Sequence, residues 1–178
     1  MRKVVAYELL SFDGVAEQPN EFVTDFDEVM RENLGRVVAT QDAVLLGRST
    51  YDAWAEDWPA SDYEPFASFI NGVRKFVVTS TPLERDWANS AVADGDLIGF
   101  VTELKRQSGG DIGLHGSISL VQALLRAGLV DELRLVIAPV LHAAGRRLFD
   151  KDTRKRLSVT RNVTSPAGYL LVDLAVAN

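Results

Sequence analysis

Cysteine is absent from all 178 residues and histidine occurs only twice. The first absence removes disulfides, thiolate metal ligands and cysteine nucleophiles, and accords with a reducing, cytoplasmic setting. His115 and His142 stand at no metal-ligand spacing, so no metal site is expected. No apolar run approaches the ~20 residues of a membrane span. Glu8 interrupts the N-terminal apolar stretch before a signal-peptide core could form. Acidic residues outnumber basic ones, 25 to 19. The net charge of −6 offers no basic stripe to displace counterions from nucleic acid, and the dense run Lys151 to Arg156 reads as a solvated surface segment. Repeats, low-complexity tracts and Pro/Gly/Ser-rich linkers are lacking, so the chain reads as one domain, long enough to bury roughly 70% of its unfolded surface.

What is present is an alternation of elements. Strands are expected at Lys3 to Leu10, Ala43 to Leu46, Lys75 to Thr79, Ile112 to His115, Glu132 to Pro139, Leu157 to Thr164 and Tyr169 to Ala177. Helices are expected at Asp25 to Thr40, Thr50 to Trp58, Tyr63 to Asn71, Gly99 to Gln107 and Ser117 to Ala127. This is an α/β pattern whose last two strands, joined by Thr164-Ser165-Pro166-Ala167-Gly168, form an antiparallel hairpin. The sheet is therefore mixed. The segment from Asp111 to Pro139 reads as a strand-helix-strand crossover, with Ile118, Val121, Leu124 and Leu125 on one helix face.

Three turns attract chemistry. The apolar run Val44-Leu45-Leu46 ends abruptly in Gly47-Arg48-Ser49-Thr50, a guanidinium, two hydroxyls and helix-opening N–H groups that together could seat an anion. Leu114-His115-Gly116-Ser117-Ile118-Ser119 likewise passes from a strand into a helix, with Gly116 permitting close approach and Ser117 placed to cap. A plain serine-capped turn would look the same. The third turn, Val78-Thr79-Ser80-Thr81-Pro82, again sets hydroxyls after a strand. Three such turns suggest one extended, multiply phosphorylated ligand. Neither the G-x-G-x-x-G nor the G-x-x-x-x-G-K-[ST] fingerprint is present, so the site has another architecture.

Asp13, in Ser11-Phe12-Asp13-Gly14, reads either as a turn residue or as a carboxylate that holds or polarises a substrate ring. Asp25, Asp27 and Glu28 are better read as helix-capping acids. Phe12, Tyr51, Trp54 and Trp58 are either core or the walls of a slot for a planar ligand. No G-x-S-x-G elbow supports serine hydrolysis.

S-F-D-G, L-L-G-R-S-T-Y, K-F-V-V-T-S-T and the long block L-H-G-S-I-S-L-V-Q-A-L-L-R-A-G-L-V-D-E-L-R-L-V-I-A-P-V-L, followed by G-R-R-L-F, resemble the reductase domain of riboflavin biosynthesis and its stand-alone bacterial relatives. The resemblance implies a dihydrofolate reductase-like three-layer α/β fold, with a mixed, mostly parallel sheet and helices on both faces. It also implies a homodimeric, NADPH-dependent reductase without metal, acting on a small heterocycle or sugar-linked pyrimidine, nominally 5-amino-6-(5-phosphoribosylamino)uracil. By the same analogy Gly47, Arg48, Ser49 and Thr50 hold cofactor phosphates. Ser80 and Thr81 lie near the adenosine 2'-phosphate, and His115, Gly116, Ser117 and Ile118 lie along the pyrophosphate and nicotinamide. Asp13 is the catalytic candidate, and Phe12, Asp13 and Trp54 are the substrate candidates. The chain departs from the family pattern at His115, where relatives carry Gly, at Leu141 to Gly145, and at Tyr7, where riboflavin-committed members often carry Lys. Dihydrofolate reduction, an orphan NADPH reductase and a non-catalytic nucleotide-binding module are the alternatives.

Overall fold

The computed structural model describes residues 1–177. Thirteen elements follow in order: β1 (Val4–Ser11), α1 (Glu28–Val38), β2 (Gln41–Gly47), α2 (Arg48–Asp57), α3 (Phe66–Gly72), β3 (Arg74–Val78), β4 (Ser90–Val92), α4 (Leu97–Arg106), β5 (Asp111–His115), α5 (Ile118–Arg126), β6 (Glu132–Ala138), β7 (Leu157–Thr164) and β8 (Leu170–Val176). The eight strands form one sheet in the order β4-β3-β2-β5-β1-β6-β8-β7. Pairing is parallel from β4 through β6 and antiparallel for β6–β8 and β8–β7.

The central strands are largely apolar because both sheet faces are covered, with Glu8 as the exception in β1. Val4, Ala6, Leu10, Leu45, Ile112 and Leu114 pack with Val101 and Leu104 of α4 and with Val121, Leu124 and Leu125 of α5. Tyr7, Val44 and Leu46 pack on the opposite face with Met30, Leu34 and Val37 of α1 and with Phe66 and Ile70 of α3. The result is a three-layer α/β fold of the dihydrofolate reductase-like class. Among the described residues no helix is long and apolar enough to cross a membrane.

Most expected elements are present, with shifted ends. β4 was not expected: it is three residues long and largely exposed, and it exists only by pairing with β3. α1 opens at Glu28 because the Asp27 side chain accepts a hydrogen bond from the Met30 N–H at 3.0 Å. That carboxylate also accepts from Ala167 N, tying α1 to the β7–β8 hairpin. α4 opens earlier than expected, because Asp96 caps it through the Gly99 N–H.

Asp131, in the G-L-V-D-E-L block, joins three elements. Its Oδ2 accepts from the Val4 N–H at 2.7 Å and from Lys105 Nζ at 2.5 Å, and its carbonyl accepts from the Val176 N–H. Lys105 is buried, so removing its partner strands a charge at the edge of the core. Replacing Asp131 by Ala is expected to cost about 3 kcal/mol in urea unfolding, with Asn intermediate because it keeps an acceptor for Val4.

Candidate active site

The cleft arises where two neighbouring strands part company. β1 and β5 are in register only from Val4↔Ile112 to Tyr7↔His115, whereas β1 stays paired to β6 as far as Ser11. β5 stops because Gly116, at φ +66°, turns the chain up into α5. A side chain there would be strained, and its Cβ would lie 3.2 Å from the Trp54 ring. The space left by the fork is a cavity of about 1320 Å³, lined by Tyr7, Glu8, the 47–50 turn, Trp54 and the 115–120 turn. A second hollow of about 620 Å³ shares Arg48, Val78 and Leu97 with it and adds Thr79, Ser80 and Thr81. Two of the three turns singled out in the sequence thus meet on one cleft, and the third borders its extension.

The two main turns are laced together. The Gly47 N–H donates to Ser117 Oγ at 2.9 Å, Ser117 Oγ donates to Thr50 Oγ1 at 3.0 Å, and Thr50 Oγ1 donates to the Gly116 carbonyl at 3.2 Å. Ser117 therefore does not cap its own helix as the sequence suggested; its hydroxyl is spent sideways on the neighbouring turn. Neither α2 nor α5 has a side-chain cap, and the first turns of both helices line the cleft, bringing the positive ends of their dipoles to it.

Arg48 is a strut and not a free cation. Its Nε is bonded to Asp52 at 2.7 Å, and its Nη1 donates to Thr81 Oγ1 at 2.7 Å and the Pro82 carbonyl at 2.8 Å. Ser49 and Ser80 are exposed. Ile118 lines the cleft beside Ser117.

The substrate candidates separate. Trp54 lines the cleft and packs edge-on against Trp58 and Phe66. Phe12 is 64% exposed and points outside it, and Tyr51 is core, its hydroxyl donating to the Arg85 carbonyl. Asp13 also lies outside. It accepts from the His142 N–H at 2.9 Å, from Ser11 Oγ at 2.7 Å and from the Ala143 N–H at 3.0 Å. Those bonds, led by His142, hold its carboxyl well below the usual carboxylate range. Asp13 ties the loop after β6 to the end of β1, the turn role of the two offered by the sequence.

His115 does not fill the cleft. Its ring is 2% exposed among Tyr7, Phe66 and Phe69, with Nε2 2.8 Å from Gln41 Oε1, and burial lowers its pKa to about 3. Gly113 makes that contact possible, since a Cβ there would sit 2.0 Å from Gln41 Oε1.

Three buried polar atoms matter here, and one of them belongs to Glu8, which the sequence did not single out as a site residue. Tyr7 Oη, Glu8 Oε1 and His115 Nδ1 are buried with no hydrogen-bond partner, and all three residues line the cleft. Burial pushes the Glu8 carboxyl up to about 8, against the pull of the Gly116 N–H, and raises the Tyr7 phenol as well. A sequence signal for Glu8 existed: it is the one acid inside the apolar run V-V-A-Y-E-L-L.

Fold and cleft together define a dihydrofolate reductase-like α/β protein whose candidate ligand site is the cleft at the fork of its parallel strands. The chain belongs to the RibD C-terminal domain family, whose model matches residues 2–171. It is 29% identical over 181 residues to the uncharacterized protein YyaP of Bacillus subtilis strain 168, covering 96% of this chain and 93% of YyaP. Its fold is shared with a candidate riboflavin biosynthesis protein from Shewanella sp. PV-4, at TM-score 0.80, 14% identity and 99% coverage of both chains. It is shared too with the diaminohydroxyphosphoribosylaminopyrimidine deaminase/5-amino-6-(5-phosphoribosylamino)uracil reductase of Thermotoga maritima, at TM-score 0.66 and 14% identity, covering 99% of this chain and 57% of that one.

The raised Glu8 has a consequence for stability. Its native pKa lies above the ordinary 4.5, so between those values the native state binds more protons than the unfolded chain. Stability is then highest below about 4.5 as far as Glu8 is concerned and is lost as pH rises through about 8. The other ionisable groups on the cleft are Tyr7, Glu17, Arg48, Tyr63, His115 and Arg146, and the residue opposite Glu8 on β6 is Leu135. Melting temperature measured across this window is expected to fall with pH in the wild type and to fall less in Glu8→Gln.

Proposed function

We propose that the chain is a reductase that uses NADPH to reduce a small heterocyclic or sugar-linked pyrimidine, nominally 5-amino-6-(5-phosphoribosylamino)uracil. The observation that carries this reading is the pair of uncapped helix N-termini, laced by Ser117 and Thr50, that open on one cleft with three unpartnered polar groups on its walls. Backbone N–H groups and helix dipoles suit phosphates. The named activity of the Thermotoga maritima relative supports the reaction class.

The residues fit the cofactor. The first turns of α2 and α5 would hold the phosphates through their backbone N–H groups and the exposed Ser49 hydroxyl, with Arg48 fixing α2 against the 79–82 loop. Thr79, Ser80 and Thr81 in the adjoining hollow would meet the 2'-phosphate. Gly116, lacking a side chain, leaves the peptide beside Trp54 open to a flat ring. When bound, NADPH supplies a hydride. Trp54, Trp58 and Phe66 exclude water from the reacting face and orient the substrate ring.

A fluorescence titration tests this. Saturable binding of NADPH with at least about tenfold preference over NADH is expected, equivalent to about 1.4 kcal/mol. Gly116→Ala is expected to abolish it, because the substitution strains a left-handed backbone and drives Cβ toward Trp54. Equal affinity for the two dinucleotides would reject the 2'-phosphate assignment.

A further inference from the structure

The fold gives no reason for an acid at position 8. Val4, Ala6 and Leu10, on the same face of β1, all belong to the apolar cluster beneath α5, and an aliphatic residue at 8 would extend it. Glu8 is instead 3% exposed, with Oε1 unpartnered, and it sits one residue beyond the last β1–β5 pair, where the sheet opens. Glu8 lines the cleft together with Gly116 and Ser117 of the β5–α5 turn. A buried polar atom without a partner is costly to the native state, and such costs concentrate at functional sites.

We propose that Glu8 is the proton donor of the reduction, its carboxyl touching the substrate atom bonded to the carbon that receives hydride. This deepens the reductase reading and rests on it. The carbon of a C=N or C=O bond takes the hydride with its two electrons, the π pair moves to nitrogen or oxygen, and that atom takes the Glu8 proton. The dihydronicotinamide is oxidised to nicotinamide, and the Glu8 carboxylate regains its proton from water.

Three neighbouring cleft groups are unsuited to the task. His115 is neutral and holds its Nε2 against Gln41; the Tyr7 phenol is a weakened acid; Arg48 is bound to Asp52, Thr81 and Pro82. Asp13 lies outside the cleft and is held ionised. Glu8 keeps its proton through neutral pH, and a carboxyl poised near the working pH is an efficient general acid.

The test compares the wild type with Glu8→Gln and Glu8→Asp, using NADPH and 5-amino-6-(5-phosphoribosylamino)uracil as probes. The amide of Glu8→Gln copies the shape of the protonated acid, and an unchanged melting temperature at acid pH shows that the variant folds. Glu8→Gln is expected to bind NADPH and keep KM unchanged while kcat falls on the order of 100-fold. Partial recovery of kcat in Glu8→Asp is expected. Wild-type kcat should decline above about pH 8, a limb missing from Glu8→Gln, and 13C NMR should show the Glu8 carboxyl titrating in the same range. Full kcat in Glu8→Gln with the wild-type pH profile overturns the assignment of Glu8 and leaves the reductase intact. A wild type that binds NADPH and never oxidises it overturns the reductase reading, and the proton donor falls with it.

Discussion

The parting of β1 and β5 after Tyr7 and His115 is the constraint on which the cleft depends. A parallel sheet satisfies its backbone through its neighbours, so two central strands separate only where another structure takes over. Here Gly116 turns β5 into a helix while β1 continues against β6 alone. The groups proposed to react and to hold the pyrophosphate gather at that fork: the unpartnered oxygen of Glu8, the ring of Trp54 and the open helix ends of α2 and α5.

Hydroxyl and guanidinium groups at such a site serve geometry before chemistry. Ser117 and Thr50 hold the two turns in fixed relation, and Arg48 braces α2 against the 79–82 loop. That leaves the backbone N–H groups as the donors aimed at a ligand. Preorganised donors of this kind need no rearrangement when an anion arrives. The acid at position 8 follows a different logic, since it interrupts an apolar face and lacks the partners that would compensate its burial.

Much of the architecture was legible because its causes are local. An unbroken apolar run marked β2, helical spacing marked α5, and Thr164 to Gly168 marked the hairpin. Asp27 was recognisable as a capping acid for the same reason. β4 was not, because Ser90–Val92 has no pattern of its own and is a strand only through β3. Ser117 looked like a cap, but a serine before a helix is equally able to reach across to another turn, and only the packing of α2 beside α5 decides. Asp13 offered two roles, and the choice was made by a loop some 130 positions away, whose N–H groups it binds.

By itself the sequence determined the α/β order of elements, the strand-to-helix turn at Gly116 and the family resemblance, since these depend on residue type and neighbours along the chain. Only the tertiary structure decided which polar groups were satisfied. A carboxyl's state depends on what surrounds it in space, and Glu8 and Asp13 are separated by five positions in the sequence yet end in opposite conditions. One is buried without a full set of partners and holds its proton; the other is supplied with N–H donors and gives its proton up.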